Sequence, residues 1–119
     1  MAGTLRLIGR SEALVDGGPG LRFEVRAAGV PQSAFAVRWA GQVRAYLNRC
    51  GHVPVELDWE EGRFFDADKL YLLCAAHGAL YEPATGACLA GRCRGRGLVP
   101  LAVVERNGHI YLVEESPDP

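Results

Sequence analysis

Glycine and proline interrupt this chain so often that almost no piece between them sustains a 3.6-residue apolar period, which argues against amphipathic helices. Fifteen glycines and seven prolines in 119 residues leave only short pieces between them, and those pieces alternate or run apolar. An all-β fold is predicted. "LRFEVR" (Leu21 to Arg26) alternates apolar and polar, and "SAFAVRWAGQVRAYLNR" (Ser33 to Arg49) reads as two strands around a tight Ala40-Gly41-Gln42 turn. "AVVERNGHIYLVE" centres on Asn107-Gly108, the strongest short-range hairpin signal, because both residues tolerate positive φ. The tail "ESPDP" carries no pattern and is expected to be disordered.

The length suits one domain, residues 1–119, large enough to bury a core. Base strands are expected over about 1–47 and 97–115, with a Gly-, Cys-, Pro- and Arg-rich insertion over about 48–96. Apolar residues make up 49%, charged residues 23%, and the net charge is −1, so the chain has neither the composition of a disordered protein nor the charge of a polyanion binder. No nucleic acid is expected as partner. Apolar runs such as Leu98 to Val104 fall far short of a bilayer span, and "MAGTLRLIGR" lacks the layout of a secretory signal. A cytoplasmic location without a membrane anchor is therefore expected.

In such a compartment the four cysteines, at 50, 74, 88 and 93, read as ligands, reactive groups or buried thiols before they read as a disulfide framework. "NRCGHVP" places Cys50 and His52 two apart, and "LLCAAHG" places Cys74 and His77 three apart, with 21 residues between His52 and Cys74. Each segment offers one thiolate and one imidazole. A single buried Cys or His is ordinarily core filling, but four at ligand spacing point to a metal centre of iron or zinc. Structural zinc sites usually pair Cys with Cys and His with His, whereas both segments here are mixed.

The two boxes resemble the signature of Rieske [2Fe–2S] proteins, and the following "HGALYEPATGACLAGRCRGRGL" is similar to the cluster-binding part of small soluble bacterial Rieske ferredoxins. The resemblance is specific over about residues 48–98 and generic outside them. It implies a Rieske-type antiparallel β-sandwich in which the 48–96 insertion is the cluster-binding subdomain. It also implies one [2Fe–2S] cluster, with Cys50 and Cys74 on the inner iron and His52 and His77 on the outer one. Gly51 and Gly78 would then supply the unusual φ/ψ values that turn backbone N–H groups toward an anion.

Two ferric ions, two sulfides, two thiolates and two neutral imidazoles sum to zero charge, against −2 for an all-thiolate cluster, so the potential lies higher. The implied activity is one-electron transfer without catalysis, from a flavoprotein reductase to a terminal acceptor such as a Rieske-type oxygenase, through transient contacts. Two alternatives remain at this point: a small Rieske subunit of a larger oxidoreductase, and a zinc-stabilised Cys2His2 binding module.

Departures from the respiratory members of that family narrow the expectation. Val55 and Ala76 stand where those proteins carry a bridging disulfide, Ala79 stands where they carry a serine that donates to a cluster sulfide, and Tyr81 matches their tyrosine. Fewer donors place the expected potential in the lower part of the roughly −150 to +300 mV Rieske range. Gly91-Arg92 replaces the Gly-Pro pair of the loop that covers the cluster. Arg92, Arg94 and Arg96 read as a solvated loop or as a basic rim for an acidic partner.

Cys88 and Cys93, five apart, are expected as reduced, packed thiols. His109 is assigned no ligand role, and Trp39 and Trp59 are assigned to packing. Asp58, Glu60, Glu61, Asp66 and Asp68 are expected at exposed turns, with an acidic docking face as the alternative.

Overall fold

The computed structural model describes residues 3–27, 29–49, 57–58, 62–66, 68–74, 78–91 and 97–115. Among them the chain forms strands β1 (Gly3–Arg10), β2 (Leu21–Ala27), β3 (Val30–Trp39), β4 (Gln42–Leu47), β5 (Leu72–Leu73), β6 (Leu80–Tyr81), β7 (Cys88–Ala90), β8 (Pro100–Leu101), β9 (Val103–Arg106) and β10 (His109–Glu115). A single 3₁₀ turn at Ser11–Ala13 is the one helical element among the described residues, and no helix there is long and apolar enough to cross a membrane. Glu115, expected in a disordered tail, instead closes β10 opposite Gly3, and residues 116–119 lie outside the described set.

Both expected hairpins form, and their turns explain why. At Ala40 and Gly41 φ is 53° and 79°, and at Asn107 and Gly108 it is 51° and 77°. Two successive left-handed residues twist the connection in the sense that flanking strands already twist, so a two-residue turn closes without splaying them. Gln42 lies just beyond the first turn and pairs with Trp39.

The strands make three antiparallel sheets, ordered β1-β10-β9, β2-β3-β4-β8 and β5-β6-β7. The four-stranded sheet is the middle layer, which the burial of β3 makes plain: Ala34, Phe35, Ala36 and Val37 are all fully buried. Side chains alternate along a strand, so four consecutive buried positions require cover on both faces. Ala34 and Ala36 pack in clusters that contain Leu112 and Ile110 of the β1-β10-β9 sheet. Phe35 and Val37 face the opposite way, into a cluster with Tyr46, Phe64, Leu72, Cys74, Ala79 and Tyr81. Along β3, small residues thus face one way and larger ones the other.

Arg38 ties the outer sheet to the middle one. Its guanidinium donates to both carboxylate oxygens of Glu105, at 3.1 and 2.6 Å, and also to the carbonyls of Leu14, Ser11 and Gly41. The carboxylate raises the Arg38 pKa further above its ordinary value, and the guanidinium holds Glu105 below the usual carboxylate range.

Candidate metal centre

The second box begins where β5 ends. Cys74 is fully buried, is not in a disulfide, and belongs to the same apolar cluster as Phe35 and Phe64, whose rings stack with centroids 4.0 Å apart. Its N–H donates to the Ala79 carbonyl at 2.9 Å, and the Gly78 N–H donates back to the Cys74 carbonyl at 2.7 Å. These two bonds tie Cys74 to Gly78 and Ala79; residues 75–77, His77 among them, lie outside the described residues. Gly78 sits at φ +72°, as the sequence predicts, and open space surrounds the position of a would-be Cβ. It is therefore the left-handed backbone, not crowding, that selects glycine there.

The segment after β7 closes on this turn from the other side. Gly91 has φ +92°, and a Cβ on it would fall 2.8 Å from the Ala79 Cα. Two backbones meet there with no room for a side chain, even though the proline expected in a covering loop is replaced by Arg92. A buried thiol at the mouth of a tight turn, with a second backbone pressed against that turn, fits a group held by thiolate and screened from water.

The first box, with Cys50, His52 and Gly51, lies outside the described residues, but both of its flanks are described. Asn48, directly after β4, is buried, and its side-chain Nδ2 donates to Asp58 Oδ1 at 2.9 Å and to Ser33 Oγ at 3.3 Å. Its Oδ1 accepts from the Leu57 N–H at 2.8 Å. Asp58 Oδ2 accepts from the Gly62 N–H at 2.9 Å and lies 3.5 Å from Arg22 Nε.

Asp58 therefore corrects the sequence expectation: its side chain is completely buried, not displayed on a turn. Asp66 is half-buried and accepts from the Leu70 and Tyr71 N–H groups, while Asp68 is exposed as expected. Glu60, Glu61 and Trp59 lie outside the described residues, and Trp39 packs against the main core cluster. His109 sits at the start of β10 with Nδ1 3.0 Å from the Asn107 carbonyl.

A second correction concerns Cys88, which is disulfide-bonded. The compartment argument weighs a generic disulfide against a reducing pool; it takes no account of thiols that a folded chain already holds within bonding distance. Cys93, Arg92, Arg94, Arg96, Val55 and Ala76 also lie outside the described residues. Among the described residues no group of three or more His, Cys, Asp or Glu side chains converges on a metal position.

Pattern reading overlooked Asn48 and placed its partner Asp58 on an exposed turn. A polar residue closing an apolar strand two positions before a ligand box was the available signal.

The family model of the Rieske [2Fe-2S] domain matches residues 7–113. The fold is similar to the ferredoxin of carbazole 1,9a-dioxygenase from Nocardioides aromaticivorans IC177, with TM-score 0.70, 24% identity, and 94% of this chain and 99% of that one covered. It is also similar to the Sphingomonas yanoikuyae B1 ferredoxin, with TM-score 0.69, 19% identity, and coverage of 95% and 100%. A chain from the complex of reduced oxygenase and oxidised ferredoxin in carbazole 1,9a-dioxygenase matches with TM-score 0.70, 18% identity, and coverage of 96% and 97%. No curated protein matches the chain.

Proposed function

Because the chain belongs to the Rieske [2Fe–2S] domain family, we propose that it is a ferredoxin that accepts single electrons from a flavoprotein reductase and delivers them to a terminal acceptor such as a Rieske-type oxygenase. Cys50 and Cys74 hold one iron and His52 and His77 the other. When bound, the [2Fe–2S] cluster supplies a one-electron couple. No side chain is assigned a catalytic role.

The observation that carries this reading is Cys74: a fully buried thiol at a turn closed by the Cys74–Ala79 and Gly78–Cys74 backbone bonds. Its own residues do the rest. Phe35, Phe64 and Leu72 exclude water behind the thiol, Gly78 supplies the left-handed backbone after it, and the bare Gly91 backbone comes close to Ala79. The likeness to a ferredoxin found in complex with its oxygenase supports an oxygenase as acceptor. The same reading divides the chain into base strands over about 1–47 and 97–115 and a cluster-binding subdomain over about 48–96, and it puts the protein in the cytoplasm.

The test is reconstitution. Purified protein should be brown and should relay electrons from a flavoprotein reductase to a Rieske oxygenase, and Cys74→Ser should abolish both the colour and the relay. A full-strength Rieske spectrum in Cys74→Ser would refute the assignment.

A further inference from the structure

The hydrogen bonds of Asn48 and Asp58 close a ring around the one stretch of chain that carries Cys50 and His52. Asn48 precedes that stretch, and Leu57 and Asp58 follow it. The side chain of Asn48 reaches both followers at once, taking the Leu57 N–H at 2.8 Å and giving its own N–H to Asp58 at 2.9 Å. The far ends of the ring are fixed in turn. The Asn48 N–H donates to the Ser33 carbonyl of β3 at 2.9 Å, Leu57 is fully buried in the main core, and Asp58 holds the Gly62 N–H, whose carbonyl takes the Gly20 N–H at 2.8 Å. Strand β4 ends at Leu47, so beyond the Asn48 N–H bond to Ser33 no strand pairing among the described residues fixes this point.

Resting on the ligand assignment above, we propose that Asn48 and Asp58 are positioning residues for the first ligand segment, a side-chain clamp that sets where Cys50 and His52 stand relative to Cys74. Burial makes the clamp stringent. The Asp58 side chain has no exposure, so an oxygen or nitrogen left without its partner there costs the full desolvation of that atom.

The donor pattern also dictates which substitutions fail and which one repairs them. Asn48→Asp sets two carboxylate oxygens against each other where the 2.9 Å bond now runs. Asp58→Asn places an amide N–H against a donor in either orientation of the amide, facing Asn48 Nδ2 in one and the Gly62 N–H in the other. The double variant, Asn48→Asp with Asp58→Asn, pairs the Leu57 and Gly62 N–H groups again and reverses the bond between the two side chains; the Ser33 hydroxyl turns from acceptor to donor, and only the Arg22 ion pair is reduced to a contact with a neutral amide. The carboxylate introduced at position 48 would accept from the Leu57 N–H and from the amide introduced at position 58, whose oxygen would accept from the Gly62 N–H.

The holoprotein variants decide it through two readouts, the rate of iron loss to a chelator well below the melting temperature and the EPR principal values of the reduced protein. Each single variant is expected to lose iron about tenfold faster, the scale of effects from residues that orient metal ligands, with altered principal values. The swap is expected to recover wild-type EPR values and a loss rate within about twofold of wild type, since all buried groups are again paired. Should a single variant not fold, the swap decides alone: recovery of both readouts supports the clamp, and fast iron loss from a folded swap overturns it. Single variants with lowered melting temperature but unchanged iron loss and EPR values would make the pair merely structural and overturn the proposal. A wild-type protein that binds no iron–sulfur cluster would overturn the ligand reading and the clamp together.

Discussion

The phenolic O–H of Tyr46 donates to the carbonyl oxygen of Pro83 at 2.6 Å, a bond that spans the middle sheet and the turn between β6 and β7. It joins the strand leading into the first box to the sheet that carries the second. Tyr46→Phe should lower stability by about 1 kcal/mol, the net worth of one buried hydrogen bond. Burial pushes the Tyr46 pKa up to about 12. An acid whose folded pKa is raised contributes stability that is complete below its unfolded pKa near 10 and is lost as pH rises toward 12. Urea titrations across that alkaline window should show a shallower decline in Tyr46→Phe than in wild type; parallel declines would contradict the assignment.

Glu105 works at the other end of the pH scale. Its pKa lies below the ordinary carboxylate value because Arg38 donates to it, so it contributes stability above its unfolded pKa that is lost as pH falls through its depressed folded pKa. Glu105→Gln should cost about 1–2 kcal/mol at neutral pH, as expected for a charge-assisted pair in partial contact with water. It should also flatten the acid limb of the stability curve. An acid limb as steep as wild type in chemical denaturation would count against the pair.

Cys88 is half of a disulfide, and the proposed ligand set does not include it. Cys88→Ala should leave the EPR line shape unchanged while lowering the melting temperature, with a loss of about 2 kcal/mol or less given the spread seen for disulfides. Loss of the cluster in this variant would place Cys88 in the ligand set.

Ala79 is fully buried beside the Cys74 turn, with the Gly91 backbone against it. A hydroxyl at this position should donate to a cluster sulfide and bond more strongly after one-electron reduction. If the preference is about half of the 1.5 kcal/mol lower bound for a charged hydrogen bond, the potential rises by on the order of 30 mV. Protein-film voltammetry of Ala79→Ser measures it; an unchanged potential with an intact spectrum would mean that the Ala79 side chain faces the apolar core alone.

What was legible in the sequence was what local chemistry specifies. Asn107-Gly108 announces its hairpin because both residue types tolerate positive φ, whereas in Ala40-Gly41 only the glycine does and Ala40 takes φ 53° against the preference of its Cβ. Gly78 was legible through the family resemblance, which implies unusual φ/ψ there. β1 was not read as a separate strand, since its exposed Leu5 and Leu7 show no buried partner until β10 is laid beside them. The burial of Asp58 was equally hidden, because its partners Asn48, at the end of β4, and Arg22, on β2, are brought to it only by the tertiary fold. The disulfide of Cys88 was misjudged because a compartment rule replaced the geometry that decides whether two thiols meet.

The proposed function stands or falls on two imidazoles and two thiolates sharing one [2Fe–2S] cluster in this chain. Pulsed EPR of the reduced protein labelled with ¹⁵N-histidine looks straight at that ligand set. Two inequivalent histidine nitrogens should couple to the cluster spin, and both couplings should vanish when His52 and His77 are replaced together. A reduced signal with no histidine coupling, or a colourless protein that carries zinc, would contradict it.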